Sequence, residues 1–202
     1  MKKNISKTVA LFDFDGTITY CDTSALSLLH AAPWKNIFLQ GIPCFFLLVR
    51  ATVDSKRASI YKESICQKLL RGMDVNAYEN KVIGFNKRIM PKLIRKKALE
   101  RIQWHKKQGH LVIIVTRTPI QFLSPWIRQQ QIIVLGTTLK VTKGVIQGSF
   151  VEGNCEGKHK VDAVKSLLGD LKKYTFYAYG DSENDRPMLN IAEYQFFKPF
   201  RD

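Results

Sequence analysis

The chain has 202 residues, of which 45% are hydrophobic and 24% charged, a balance that argues against disorder and allows one large domain or a domain with a small insertion. Its 32 Lys and Arg residues outnumber 17 Asp and Glu residues, and the resulting net charge of +15 favours anionic partners such as phosphorylated metabolites, nucleic acid or acidic lipid. The four cysteines lie far apart without a C-x-x-C pair, which argues against a disulfide framework or a zinc site and fits reduced thiols in a cytoplasmic protein.

The first predicted element is a buried strand that ends in two carboxylates. In the run VALFDFDGTIT, an apolar stretch leads to Asp13 and Asp15 and is followed by a Gly-Thr turn signal. Strand side chains alternate between faces, so Asp13 and Asp15 share one side. Two neighbouring carboxylates repel each other, and a bound cation is the simplest compensation. A calcium-binding EF-hand loop is excluded, because Ser24 stands at the twelfth loop position where a bidentate Glu is needed.

The next segment is predicted to be all-helical. A first helix is capped by Asp22 or Thr23, a second ends at Gly72, and a third begins after Asp74. No strand signal occurs within 19–88.

The apolar stretch 37–53 is predicted to be buried or interfacial rather than membrane-spanning. Its longest run without a charged or amide side chain, 42–49, is far shorter than the ~20 residues that a spanning helix needs, and Gln40, Pro43 and Arg50 interrupt the stretch. We interpret 42–49 as a core between helices. No export signal is evident, so we expect a cytoplasmic location.

A basic helix follows the helical segment. The region 87–107 carries nine Lys or Arg residues and one acid, Glu100, and a helix is predicted from Pro91 to Gly109. One apolar stripe should face the core: Ile94, Ala98, Ile102 and His105. The charged face is either solvated or attracts anions, and together with 37–53 it would allow a transient contact with an acidic membrane.

Strands return in the second half of the chain. HLVIIVT is a buried strand ending at Thr116, and YTFYAYGD is another ending at Asp181. Between them lie a helix disturbed by Pro125, short strands with a hairpin turn at Lys143, and an amphipathic helix closed by Gly169. A short helix follows Asp181.

Strands that alternate with helices predict a parallel α/β sheet, in which ligands bind beyond the carboxyl ends of the strands. Asp13, Asp15, Thr116 and Asp181 would meet at that edge, and Asp185 lies one turn after Asp181. Four carboxylates with no His or Cys among them favour Mg²⁺ over zinc. A basic nucleic-acid-binding module without catalysis is the alternative from another class, but it leaves these carboxylates unexplained, and we expect no nucleic-acid partner.

Four ordered motifs, DFDGT, VIIVTRTP, GKHK and YGDSENDRPML, resemble those of the haloacid dehalogenase superfamily of phosphatases. The helical segment after the first motif is similar in position to the cap of the C1-capped branch, which contains phosphoserine phosphatase. The resemblance implies a Rossmann-like core of residues 1–18 and 89–202 and an inserted helical cap of residues 19–88. It also implies Mg²⁺-dependent hydrolysis of a phosphomonoester.

The resemblance also implies a role for each motif residue. Asp13 would be the nucleophile that becomes an aspartyl-phosphate, and Asp15 the general acid and then base. Thr116 would hydrogen-bond the phosphoryl oxygens. Mg²⁺ would be bound by Asp13, Asp181 and the backbone carbonyl of Asp15, with support from Asp185.

Two features leave alternatives open. The third motif contains two lysines, Lys158 and Lys160, and either could neutralise charge on the nucleophile and the phosphate. Phosphoserine phosphatases, which this motif resembles, have their lysine at the position of Lys158, so we favour Lys158. Asp22 lies where those enzymes have a glutamate that binds the ammonium group of the substrate. Arg117 could reach an anionic group of the substrate. We therefore expect a small phosphoserine-like metabolite as the substrate. Alternatively, 42–49 resembles the apolar cap of phosphatidylglycerophosphate phosphatases, which implies a lipid head-group phosphate.

Overall fold

The fold is described from a computed structural model that covers residues 7–54 and 57–201; residues 1–6 of the predicted core and 55–56 of the predicted insertion lie outside it. The strands, in chain order, are β1 (Lys7–Phe12), β2 (Leu111–Thr116), β3 (Ile133–Gly136), β4 (Leu139–Thr142), β5 (Val145–Phe150), β6 (Tyr174–Gly180) and β7 (Tyr194–Phe197). The helices are α1 (Thr23–Ala31), α2 (Trp34–Val53), α3 (Ala58–Leu70), α4 (Val75–Arg88), α5 (Met90–Leu93), α6 (Lys96–Lys107), α7 (Ile120–Gln130), α8 (Lys158–Leu168) and α9 (Arg186–Asn190).

A five-stranded parallel sheet forms the centre of the molecule, in the order β3-β2-β1-β6-β7. The predicted parallel α/β fold is therefore confirmed. The strand β1 is central because it is apolar on both faces, with Val9 to Phe12 fully buried. Its neighbours are β2 and β6, so the three strands that end in polar residues lie side by side, and their carboxyl ends form one edge.

Helices cover both faces of this sheet. One apolar cluster includes Ala98 and Ile102 of α6 together with Leu123 of α7. The cluster on the opposite face includes Val164 of α8 and Met188 of α9. Three residues of the predicted stripe, Ala98, Ile102 and His105, are buried on α6, and its fourth residue, Ile94, is buried in the segment before α6.

The predicted basic helix is interrupted between Leu93 and Lys96. α5 ends at Leu93, Ile94 is extended, and α6 starts only at Lys96. The interruption arises because Ile94 pairs with Thr19 in an isolated antiparallel bridge. The backbone amide of Arg95 donates to the carbonyl of Ile18 at 2.8 Å. The two chain segments that connect the sheet with the helical region are thus hydrogen-bonded to each other.

The helices α1 to α4 have an apolar cluster of their own, which the β4–β5 hairpin completes. Leu139 and Ile146 of the hairpin belong to this cluster together with Leu69 of α3. Gly148 permits the close approach: it has φ of +79°, and a Cβ atom there would lie 2.5 Å from the Cα of Gln67.

Among residues 7–54 and 57–201, the helix α2 is packed on one side only. Its inner face includes the buried Cys44 and is tied to α3 by a hydrogen bond of 2.9 Å from Asn36 Nδ2 to the Leu69 carbonyl. Ile42, Phe45 and Phe46 are exposed, so the interpretation of 42–49 as a core between helices is wrong for the outer face. The apolar run could not reveal this, because it does not show how many neighbours the helix has. Within 7–54 and 57–201, no helix combines the length and hydropathy that crossing a membrane requires.

Candidate active site

The site lies at the carboxyl ends of β1 and β6. Asp13 follows β1 directly, and its backbone amide donates to the carbonyl of Tyr179 at 2.8 Å, which continues the sheet pairing into the site. The Nζ of Lys160, on α8, donates to Asp13 and also to Asp185 Oδ1 at 2.7 Å. All three side chains are buried, so the ammonium compensates two carboxylates that have little access to water.

A turn after β6 brings Asp185 back towards Asp181. The Oδ2 atom of Asp185 accepts hydrogen bonds from the amides of Asp181 at 3.1 Å and Ser182 at 2.9 Å, and from the Ser182 hydroxyl at 2.8 Å. This arrangement is a capping box around a short 3₁₀ turn. It fixes the Asp185 carboxylate at the edge of the sheet.

Three carboxylates meet there: ligand oxygens of Asp13, Asp181 and Asp185 all lie within 4.8 Å of one another. A cluster of hard oxygen donors without nitrogen or sulfur fits Mg²⁺. Gly16 makes the cluster possible, because it has φ of +78° and a Cβ atom there would lie 2.4 Å from Asp181 Oδ2. Asp181 also pairs with Arg201 at 2.9 Å.

Burial and charge set the protonation of these groups. Burial raises the pKa of Asp13 to about 7, against the opposing effect of Lys160. Burial and the nearby Asp185 also raise the pKa of Asp181. The pKa of Asp185 is lowered in spite of burial, because Lys160 and the Ser182 hydrogen bonds favour its carboxylate form.

Asp15 is held apart from the three-carboxylate cluster. Its Oδ1 accepts hydrogen bonds from the amide of Thr23 at 2.6 Å and from the Thr23 hydroxyl at 2.7 Å, and its Oδ2 accepts one from the Thr118 hydroxyl. The side chain of Asp15 is not a member of the cluster. The predicted contact of Asp15 with the metal would therefore be made by its backbone carbonyl. Burial and the charge of Asp22 raise the pKa of Asp15.

The predicted residue Thr116 ends β2 and is fully buried. Its hydroxyl oxygen accepts a hydrogen bond of 3.0 Å from the amide of Thr118. This bond fixes the turn that carries Thr118 to Asp15.

Asp22 has both carboxylate oxygens engaged. Oδ1 caps α1 by accepting from the amide of Ser24 at 2.9 Å, and Oδ2 lies 2.9 Å from Lys62 Nζ and 3.7 Å from Arg117 Nη2. Although burial raises the pKa of Asp22, Lys62, Ser24 and Arg117 together lower it to about 2. The structure thus brings Asp22 and Arg117, two predicted substrate-binding residues, close to each other, and Lys62 is a further partner of Asp22.

Two neighbouring spaces open beside Asp22 and Arg117. The first has a volume of about 260 Å³ and is bordered by Asp13, Asp15 and Asp181. The second, which shares Asp22 and Arg117 with the first, is small and lined by the apolar side chains Leu28, Leu48, Ile65 and Phe150. Asn154 also lines the second space, and its Nδ2 has no hydrogen-bond partner within the described residues.

The preference for Lys158 over Lys160 is corrected by the structure. α8 starts at Lys158 immediately after Gly157, and Lys158 is exposed, whereas Lys160 is only 1% exposed and contacts Asp13. The direction of each side chain depends on where the helix begins relative to β1, which the motif spacing alone does not fix.

Several site residues were not predicted. The hydroxyl of Thr17 lies 3.3 Å from Asp13 Oδ2 and 3.4 Å from Asp181 Oδ1. Thr17 and Thr118 each lie two residues after a predicted site residue, Asp15 and Thr116, so their positions in the sequence could have suggested them. Lys62 and Arg201 offered none, because each reaches the site from a distant part of the chain.

Comparison with known proteins gives concordant results. A family model described as haloacid dehalogenase-like hydrolase matches residues 10–190. The chain is 30% identical over 194 residues to protein CicA of Caulobacter vibrioides, with 94% of this chain and 85% of CicA covered. It is 30% identical over 199 residues to phosphoserine phosphatase SerB1 of Mycobacterium tuberculosis, with 91% of this chain and 62% of SerB1 covered.

The fold is also similar to that of a solved phosphoserine phosphatase, in a form that is an analogue of the phospho-aspartyl intermediate. The TM-score is 0.62 at 17% sequence identity, and the match covers 93% of this chain and 84% of that one. At this identity the likeness demonstrates a shared fold.

Proposed function

We propose that the chain, which belongs to the haloacid dehalogenase-like hydrolases, is a phosphatase of their phosphoserine phosphatase-like branch and hydrolyses phosphomonoesters through Asp13 with the help of Mg²⁺. The observation that carries the proposal is the cluster of Asp13, Asp181 and Asp185 around the buried Lys160. A solvated strand end would not need a buried ammonium between two carboxylates.

In the proposed reaction, a carboxylate oxygen of Asp13 attacks phosphorus, and the bond between phosphorus and the ester oxygen breaks. Asp15 donates a proton to the leaving oxygen. Asp15 then takes a proton from water, which attacks the aspartyl-phosphate and releases inorganic phosphate and the Asp13 carboxylate. The raised pKa of Asp15 supports the first of these roles, because an acid must hold its proton near neutral pH.

Mg²⁺ would be held by Asp13, Asp181 and Asp185, and when bound it would screen the repulsion between the nucleophile and the phosphate dianion. Lys160 would neutralise charge on Asp13 and on the transferred phosphoryl group. Thr116 would hydrogen-bond the phosphoryl oxygens from the end of β2. Lys158 has no part in this proposal.

The proposed substrate carries a second anionic group and no ammonium. The Asp22 carboxylate is already paired with Lys62 and caps α1, so it offers little to a substrate amine. Arg117 and Asn154 both line the second, apolar space, and the guanidinium of Arg117 and the Nδ2 of Asn154 can donate to an anion there. We therefore propose a small phosphomonoester other than phosphoserine as the substrate.

A phosphomonoester on a lipid head group is the second candidate. The observation that favours it is the apolar space next to Arg117, which is lined by Leu28, Leu48, Ile65 and Phe150. A substrate with a purely polar body would leave these side chains without a contact.

We also propose that residues 19–88 act as a cap over the site. The amide of Tyr20 donates to the carbonyl of Leu93 at 2.9 Å, so both connections to the core meet at one place that could serve as a hinge. Asp22 and Lys62 would enter and leave the site with this cap.

The reaction is tested by trapping the phosphoenzyme. Wild-type protein should hydrolyse a generic phosphomonoester with Mg²⁺, lose turnover in EDTA and form an acid-stable, hydroxylamine-labile phosphoenzyme. Asp13→Asn should form none, and Asp15→Asn should turn over about 10²-fold more slowly or worse. A phosphoenzyme in Asp13→Asn would require another nucleophile, and full activity in EDTA would contradict the metal requirement.

A further inference from the structure

We propose that the outer face of α2 docks the protein onto an anionic lipid bilayer, with the helix lying in the plane of the interface. The proposal is independent of the catalytic mechanism, because none of the residues on that face belongs to the candidate active site. It rests on the apolar surface of α2, the charges beside it and the geometry of the helix.

The outer face of α2 is apolar along the length of the helix. Seven of its large apolar side chains are each at least 61% exposed: Trp34, Phe38, Leu39, Ile42, Phe45, Phe46 and Val53. A helix of 20 residues spans about 30 Å, so these side chains form a strip rather than an isolated spot. Folded proteins rarely leave such a continuous apolar strip without a partner.

The inner face of α2 fixes the strip in place. Cys44 is buried and Leu48 lines the apolar space beside the candidate active site. Asn36 holds α2 to the carbonyl of Leu69 on α3. The outer side chains therefore cannot turn inwards without breaking the packing of α2 on α3.

The charges of α2 match an anionic surface. The helix contains Lys35 and Arg50 and no acidic residue, and both cations are exposed. Neither of them forms an ion pair within residues 7–54 and 57–201. Trp34 stands at the first turn, and tryptophan prefers the boundary between lipid and water. An amphipathic helix with basic residues beside an apolar face binds anionic bilayers in this orientation.

A second copy of the chain is a poorer occupant of the face. Pairing two α2 helices would bring Lys35 and Arg50 of each copy to the interface, with no acidic residue of α2 to compensate them. A bilayer allows both side chains to extend towards lipid phosphates while the aromatic rings enter the apolar layer.

The test is co-sedimentation of the full chain with vesicles at low and high salt. One set of vesicles contains phosphatidylcholine and phosphatidylglycerol in equal parts, and the other contains phosphatidylcholine alone. Wild-type protein should bind the anionic set, less at high salt. The double variant Phe38→Gln/Phe45→Gln should weaken this binding by about tenfold or more, because two aromatic side chains no longer favour burial. Lys35→Gln/Arg50→Gln should weaken it at low salt, with little effect at high salt.

Leu167→Gln is the matched control, since Leu167 is a 44% exposed apolar residue of α8 outside the strip. It should bind vesicles like wild-type protein, and all variants should hydrolyse a water-soluble phosphomonoester at the wild-type rate. Absence of wild-type binding to anionic vesicles at low salt would overturn the proposal. So would a wild-type dimer that ignores vesicles and dissociates in Phe38→Gln/Phe45→Gln, because the strip would then be an interface between copies. Equal loss of binding in Leu167→Gln would also count against α2.

Discussion

The Nζ of Lys160 lies 2.7 Å from Oδ1 of Asp185, a buried contact that ties α8 to the turn after β6. The same ammonium contacts Asp13, so a single cation serves two carboxylates. Catalysis and stability should therefore depend on the same side chain.

Lys160→Met tests this dependence. The variant should lower kcat/KM by about 10²-fold or more, because the transferred phosphoryl group loses a buried positive charge. It should also lower the free energy of unfolding by about 3–5 kcal/mol, because Asp13 and Asp185 remain buried without their cation. Urea denaturation and steady-state kinetics measure the two effects.

Lys158→Met is the control for Lys160→Met. Lys158 is exposed, so its replacement should change the free energy of unfolding by less than about 0.5 kcal/mol and leave kcat/KM near the wild-type value. If Lys158→Met proved the more damaging of the two, the assignment of Lys160 would be wrong.

Gly16→Ala should weaken Mg²⁺ binding. The new methyl group would meet Asp181 Oδ2, and the carboxylate would have to move away from Asp13 and Asp185. We expect at least about tenfold weaker binding by calorimetry, the size typical of changes that displace a ligand's support. Gly72→Ala is the matched control: its φ of +84° carries the same backbone strain, but no atom lies within 4 Å of the new Cβ. Equal Mg²⁺ affinities in the two variants would show that the Asp181 contact is unimportant.

A comparison of two substrates tests the role of Asp22. Phosphoserine and 3-phosphoglycerate share a carboxylate and a phosphate, but only phosphoserine has an ammonium group. Because Lys62 already occupies Asp22, the ammonium would lose water without gaining a partner, and kcat/KM should be higher for 3-phosphoglycerate, by up to about tenfold. Arg117→Gln should lower kcat/KM for both. A clear preference for phosphoserine would mean that Asp22 exchanges Lys62 for the substrate.

The buried His105 predicts how stability depends on pH. Burial, His110 and Arg101 lower its pKa from 6.5 to about 4. Between these two pH values, His105 is therefore protonated in the unfolded chain but neutral in the folded protein. The free energy of unfolding should therefore fall as the pH drops from 6.5 to 4, with a contribution from His105 of up to about 1.4 kcal/mol per pH unit. His105→Gln should be less stable at pH 7 and show a flatter decline. Urea denaturation at each pH measures this, provided that the m value stays constant, and an unchanged slope would contradict the assignment.

The sheet and its carboxylates were predictable because each depends on a local pattern. Apolar runs that end at Asp13, Thr116 and Asp181 identified the strands, and parallel pairing placed their ends together. The choice between Lys158 and Lys160 was not predictable, because it depends on the rotation of α8 against β1. The ion pair of Asp22 with Lys62 joins two helices whose relative position no periodicity encodes.

The exposure of the outer face of α2 could not be predicted from the sequence either. A hydrophobic pattern shows which residues avoid water but does not show what covers them. Ile42 and Cys44 belong to one apolar run, yet Ile42 is exposed and Cys44 is buried, since Cys44 lies on the side of α2 that joins the apolar cluster with α3.

The β4–β5 hairpin has a consequence for how such proteins can diversify. The chain leaves the sheet and returns to it at adjacent points, Thr19 and Ile94, so an exchange of everything between them would leave the sheet pairing intact. Leu139 and Ile146 nevertheless complete the apolar cluster of the helical region, and Gly148 touches α3 at Gln67. If recombination replaced the helical region, the β4–β5 hairpin would pack against helices whose surface differs from that of α3. Two separate stretches of the gene must therefore be inherited together, and compensating changes between α3 and β5 are expected wherever one of them has diverged.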